Sequence, residues 1–262
     1  MRYAFMVLVG IIAGGITSLV GASGVMVVVP GLNMGFGLTM QQAIGTSLMV
    51  DVIASAAVSF TYFRHGNLDV GRGLWIALGS VAGAQLGASF AAGLPEHRLG
   101  GAFGAFLVVF GVVMLWRGFN TEALASRVAK RSTPVPEWQK IVIAVGLGFL
   151  LGVVSGVLGA GGGVLVLLVL ILVLDFPLHK AIGTSTLIMA VTALSGAVGH
   201  ALRGNVDLVA GVVVGVGTVI GGVAGARFAN RVSERVLGRA IAVVFIVLGI
   251  VMTVLPRLQG SA

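Results

Sequence analysis

Two hydroxyl pairs stand 138 residues apart in identical surroundings: Thr46-Ser47 in Ala43-Ile44-Gly45-Thr46-Ser47, and Thr184-Ser185 in Ala181-Ile182-Gly183-Thr184-Ser185. A hydroxyl can donate a hydrogen bond to the oxygen of a small solute without the cost of burying a charge. In an apolar helix it can equally bond back to its own backbone or across to a neighbour. The duplication leaves these two readings level.

Two glycine-rich breaks recur at the same offset, Gly21-Ala22-Ser23-Gly24 and Gly159-Ala160-Gly161-Gly162-Gly163, each inside a long apolar stretch. Backbone groups freed at such a break must be buried in protein or line a watery cavity if they lie at membrane depth. Half-helices that begin there aim free N–H groups and positive dipole ends at the gap, which suits an anion. The candidate substrate-binding residues are therefore Gly21, Ala22, Ser23, Gly24, Thr46, Ser47, Gly159, Ala160, Gly161, Gly162, Thr184 and Ser185. The competing reading is that these glycines only allow tight helix crossing.

Asp51 lies in an otherwise uncharged segment, where an ionised carboxylate costs on the order of 3 kcal/mol. Ser47, Asp51, Ser55 and Ser59 recur every fourth residue and form a polar stripe on one helix face. Position 189 at the matching offset is Met189, so Asp51 breaks the symmetry between the halves. It is the candidate for carrying a proton coupled to transport. Gln85, beside the Gly79, Gly83, Gly87 ladder, is a secondary candidate that either faces a cavity or bonds across to another helix.

These groups need elements to hold them, and the composition says which kind. Of 262 residues, 58% are hydrophobic and 9% charged, against about a quarter charged in an ordinary soluble domain. Asp51 is the only Asp, Glu, Lys, Arg or His between Arg2 and Arg64, and there is none between Lys140 and Asp175. Both stretches exceed the roughly 20 apolar residues that cross a bilayer. The chain therefore reads as an all-α integral membrane protein, multi-pass, with the lipid bilayer as its surroundings.

The offset of 138 also pairs Gly66-Asn67-x-Asp69 with Gly204-Asn205-x-Asp207, Gly79, Gly83 and Gly87 with Gly217, Gly221 and Gly225, and Glu96 with Glu234. Apolar runs and breakers then predict about eight transmembrane segments as two tandem four-segment repeats, each with a Gly-broken first helix. They fall near 5–36, 41–63, 70–92 and 99–117, then 141–174, 178–201, 207–229 and 237–255. The first repeat half covers 1–118, a linker 119–138, and the second half 139–262. Arg127, Lys130 and Arg131 with Pro134 and Pro136 place the linker in the cytoplasm. With eight simple spans and a cytoplasmic N-terminus, the 16 Lys and Arg divide ten to six in favour of the cytoplasm. Arg227, Arg231, Arg235 and Arg239 then fall on the other side. If the first segments fold back, each half has an odd number of crossings and the halves are inverted. Residues 1–22 have the outline of a signal peptide, but the recurrence of the pattern in the interior argues that they stay.

Several chemistries are excluded or disfavoured. There is no cysteine, so disulfides and thiolate sites are absent. His65, His97, His179 and His200 show no metal-ligand spacing, and no metal or cofactor is expected. Asn67, Asp69, Asn205 and Asp207 read as turn and N-cap residues, and Gly148, Gly152 and Gly156 as a helix-packing ladder. The formal charge of +8 sits in short connections without interleaved aromatics, which speaks for membrane headgroups and against nucleic acid.

The Gly-rich first segment, Ala-Ile-Gly-Thr-Ser near the start of the second and Gly-Asn-x-Asp before the third, each present twice, resemble the sulfite exporter TauE/SafE family over nearly the whole chain. The resemblance implies a permease in the cell inner membrane of a bacterium or archaeon, moving sulfite, an organosulfonate such as sulfoacetate, or a related oxyanion or carboxylate, usually outward. The reading is a secondary transporter of a small anion with its site between the repeats and protons as a coupling ion. An anion channel is the alternative, and a membrane-embedded enzyme ranks below it because no catalytic pair is present. The oligomeric state is open, with a homodimer as one option.

Overall fold

The computed structural model describes residues 2–20, 25–64, 66, 68–117, 136–159, 166, 169, 170, 174, 176, 178–229 and 234–259. All regular structure among them is helical: α1 (Arg2–Val20), α2 (Val25–Phe36), α3 (Met40–Arg64), α4 (Val70–Gly93), α5 (Glu96–Arg117), α6 (Glu137–Leu158), α7 (Leu178–Ala201), α8 (Leu208–Ala229) and α9 (Glu234–Gln259). By length and composition, Met40–Arg64, Gly73–Gly93, Glu96–Val113, Glu137–Leu158 and Gly183–Ala201 can cross a membrane. Tyr3–Ile16, Met26–Phe36, Leu208–Ala224 and Ala242–Val254 are shorter apolar helices.

Local chemistry sets the helix boundaries. Before α3, the Thr39 N–H donates to Gln42 Oε1 and the Gln42 N–H to Thr39 Oγ1, both at 3.2 Å, a reciprocal capping box. The Met40 N–H donates to Glu96 Oε1 at 3.0 Å, so the first turn of α5 also caps α3. In the Gly-Asn-x-Asp turns, Gly66 and Gly204 take φ of 69° and 72°, a left-handed conformation open to glycine at no steric cost. Asp207 then caps α8 by accepting the Ala210 N–H at 2.9 Å, the N-cap role expected of it.

Glycine contacts fix the helix directions. Gly31 and Gly35 of α2 abut Val9 and Phe5 of α1, and the rings of Phe5 and Phe36 lie 5.5 Å apart. The expected segment 5–36 is thus two antiparallel helices, and the second returns to the end of the bundle where the first began. Gly79, Gly83 and Gly87 of α4 abut Val145, Phe149 and Val153 of α6 in ascending order, so α4 and α6 run parallel. Gly10 and Gly14 of α1 meet Val214 and Thr218 of α8 in the same sense.

The second and fourth segments of the two halves pair the opposite way. Gly45 of α3 abuts His200 of α7, while Gly196 abuts Leu48, so α3 and α7 are antiparallel. Gly104 of α5 meets Gly249 of α9, and Gly111 meets Ala242, again antiparallel. The principal packing partners therefore lie in opposite halves of the sequence: α1 with α8, α6 with α4, α3 with α7, and α5 with α9.

The closeness of these contacts explains the ladders. A Cβ added to Gly83 would collide with the Phe149 carbonyl, and one on Gly152 with the Ser80 carbonyl. Helices without a hydrophobic force between them associate through such backbone approach. Phe60, Leu86, Val109, Leu150 and Val247 instead point outward and are exposed, which a lipid surface tolerates and water would not.

Candidate functional site

The N-terminal part of α3 carries Gly45, Thr46 and Ser47, all buried. The capping box and Glu96 hold that end of the helix, and α7 packs along it. Thr46 Oγ1 accepts the backbone N–H of Asp207 at 2.9 Å, and Thr184 Oγ1 accepts that of Asp69 at 3.0 Å. Each threonine of one half thus receives the turn before the third segment of the other half. Ser47 Oγ donates to Ile44 O at 2.7 Å, so its lone pairs, and not its proton, face outward from the helix.

Gly159 ends α6 in the left-handed conformation, φ 68°, with its N–H on Ser155 O at 2.7 Å. A Cβ here would lie 2.9 Å from Ser47 Oγ and 3.2 Å from the Ile44 side chain. The structure therefore joins Gly159 to Ser47, the start of the second break to the hydroxyl site of the first half. Gly21, Ala22, Ser23, Gly24, Ala160, Gly161 and Gly162 lie outside the described residues.

The two Gly-Thr-Ser sites are not adjacent. In the antiparallel register set by Gly45 with His200 and Leu48 with Gly196, Thr184 falls level with the fourteenth residue beyond Thr46. At 1.5 Å rise per residue that is about 20 Å along the bundle. One hydroxyl site sits toward each end.

Asp51 is buried at 3% exposure, and Ser47, Ser55 and Ser59 of the same stripe are buried with it. The polar face of α3 thus turns inward, although its helix is apolar enough to cross a bilayer. Gln85 bonds across to α7: Nε2 donates to Ser195 O at 2.6 Å and lies 3.2 Å from Ser195 Oγ, which itself donates to Val81 O at 2.9 Å. Ser80 and Thr192 join the same α4–α7 seam at 2.6 Å. At the matching α8–α3 contact the residues are Thr218, Val223, Ala54 and Ala57, three of which carry no polar side chain, so these positions do not repeat the side-chain lacing of the α4–α7 seam.

Sequence reasoning passed over His200 and Ser155. The imidazole is fully buried, with Nε2 2.9 Å from the Gly156 carbonyl. A carbonyl only accepts, so Nε2 carries the hydrogen. His200 Nδ1 and Ser155 Oγ are buried with no hydrogen-bond partner among the described residues. The available signal was a histidine inside an apolar segment, weak because it stands one residue from the helix end. Among the described residues no group of His, Asp and Glu is placed to hold a metal ion.

The sequence model of the family described as Sulfite exporter TauE/SafE matches residues 6–252. The chain is 25% identical over 221 residues to Probable membrane transporter protein YunE of Bacillus subtilis, covering 79% of this chain and 81% of that protein. It is 28% identical over 204 residues to Probable membrane transporter protein YdhB of the same organism, covering 78% and 79%. Against Probable membrane transporter protein ORF9 of a Sinorhizobium species the identity is 30% over 178 residues, covering 68% and 64%. No solved structure matches significantly.

Proposed function

Because the chain belongs to the sulfite exporter TauE/SafE family of membrane transporters, we propose that it is a secondary transporter of a small anion in the cell inner membrane, built as two inverted repeats. The observation that carries this reading is the burial of Gly159, the start of an interrupted segment, against Ser47 of the opposite half. A helix end turned inward, with its free backbone groups away from lipid, is where membrane carriers hold a charged solute. Sulfite, an organosulfonate and related oxyanions or carboxylates are the substrates to try.

The antiparallel pairing of α3 with α7 and of α5 with α9 supports the inverted arrangement. It also repairs the charge distribution. With α1 and α2 folded back, every Lys and Arg except Arg2, Arg98, Arg203 and Arg257 belongs to the bundle end that carries the connection from α5 to α6, or to connections at that end. Arg227, Arg231, Arg235 and Arg239 join it, and the positive-inside rule puts that end in the cytoplasm. Asp51, buried on the inward face of α3, is the residue for proton coupling.

Proteoliposomes loaded with sulfite, sulfate, thiosulfate, sulfoacetate or simple carboxylates test the reading. Saturable flux with counterflow of one of these anions is the expected result. Flux that never saturates would make the protein a channel, and protein-independent flux for every anion would end the proposal.

A further inference from the structure

We infer that His200 and Ser155 form an anion subsite at the second glycine break, one that takes up a proton together with an oxyanion. The inference rests on the transporter reading above and adds a site to it. Its basis is a pair of buried polar atoms that the fold leaves unused.

Ser155 and Gly156 belong to the last turn of α6 before the break at Gly159. The carbonyls of that turn lack intrahelical partners. Gly159 N–H satisfies Ser155 O, and His200 Nε2–H satisfies Gly156 O. The imidazole is thereby locked in one tautomer and orientation, with Gly45 of α3 packed against its Cβ. Nδ1 is left as a bare acceptor at 0% exposure, and Ser155 Oγ, in a residue at 1% exposure, has neither given nor received a hydrogen bond among the described residues.

Buried polar atoms without partners cost stability, so their presence calls for an occupant. A neutral imidazole fixed at Nε2 offers an oxyanion nothing. When Nδ1 takes one proton from water, Nε2–H stays on the Gly156 carbonyl and Nδ1–H becomes a charged donor for an anion oxygen. The Ser155 hydroxyl can donate to the same anion. The negative end of the α6 dipole favours the imidazolium, and the anion completes the pairing.

The ionisable groups around His200 set what the anion must supply. In the turn just past the end of its own helix, Arg203 donates to Gly199 O and Ser89 Oγ, both at 2.6 Å, and its positive charge opposes a second one on the imidazole, which the bound anion must offset. The connection to α8 offers Asp207, whose Oδ1 caps Ala210. From α3 the ionisable residue inside the span is Asp51, six positions beyond Gly45; α6 has none between Lys140 and its end, and α4 none between Arg72 and its end.

Proton uptake on anion binding reads the subsite directly. Detergent-purified full-length protein in weak buffer with a pH indicator, near neutral pH, is mixed with saturating sulfoacetate, thiosulfate or acetate, after each anion has been ranked by the thermal shift it gives. The expected result is uptake of about one proton per chain. His200→Gln, which keeps a donor for Gly156 O, should abolish the uptake while retaining the unliganded melting temperature. Ser155→Ala should keep the uptake and weaken anion affinity several-fold. Unchanged uptake in His200→Gln would overturn the subsite while leaving transport standing, and would mean that a buried water alone occupies Nδ1. Absence of a thermal shift or uptake for every anion in the unaltered protein would overturn the anion-transport reading along with it.

Discussion

Thr46 accepts the backbone N–H of Asp207 at 2.9 Å, and the same bond recurs 138 residues along between Thr184 and Asp69 at 3.0 Å. Each half thereby helps to hold the start of the other half's third segment. The residues that looked like free donors to a solute have one lone pair committed to joining the halves, and keep only their own protons for other partners.

Replacing Thr46 or Thr184 by valine removes that acceptor and leaves a backbone amide without its partner. Each variant should lose on the order of 1 kcal/mol of stability, and the double variant about twice that. Thr46→Ser should melt with the unaltered protein. Equal melting temperatures for the valine and serine variants in detergent would show the cross-half bond to be idle.

The α4–α6 contact predicts a sharp positional contrast. Gly83→Ala drives a Cβ into the Phe149 carbonyl, whereas a Cβ on Gly146 of α6 meets nothing within 4 Å. Overpacking costs about 1–3 kcal/mol, so Gly83→Ala should melt well below the unaltered protein. Gly146→Ala should match or exceed it, since alanine is the better helix former. Similar melting temperatures for the two variants would contradict the close helix contact.

Orientation can be read with single cysteines, because the chain has none of its own. Tyr3 and Trp138 are both exposed, at opposite ends of the bundle once α1 and α2 fold back. In intact cells an impermeant maleimide should label Tyr3→Cys and spare Trp138→Cys until the membrane is opened. Labelling of both from outside, or of Trp138→Cys alone, is incompatible with the arrangement.

Asp51 bears on coupling. A carboxylate that picks up and releases a proton during transport makes flux depend on pH, so Asp51→Asn should flatten that dependence while leaving the protein folded. Flux in proteoliposomes followed across the acid to neutral range is the measurement. An Asn variant whose pH profile overlays that of the unaltered protein excludes the proton role.

Much of the design was legible in the residues. The apolar runs, the repeated Ala-Ile-Gly-Thr-Ser and the glycine ladders act through short-range rules of burial, periodicity and close approach, and α3, α4, α5, α7, α8 and α9 lie close to the segments those rules predict, whereas 5–36 is two helices. The polar stripe of Ser47, Asp51, Ser55 and Ser59 followed from helical spacing alone, and its inward direction from the packing of α3. His200 was passed over because its significance depends on the Gly156 carbonyl, 44 residues away, and no local pattern reports such a contact.

By itself the sequence determined that this chain is helical, lives in a membrane, belongs with the sulfite exporter TauE/SafE proteins and repeats its motifs at one offset. Only the tertiary structure decided how those motifs meet. The first interrupted segment turns back on itself, α3 faces α7 head to tail, and the hydroxyl sites separate toward opposite ends. The physical reason is that hydropathy and spacing are the same for a helix running up or down, so direction enters only through which backbone surfaces fit together. Here the fit of Gly45 to His200 and of Gly83 to Phe149 sets it.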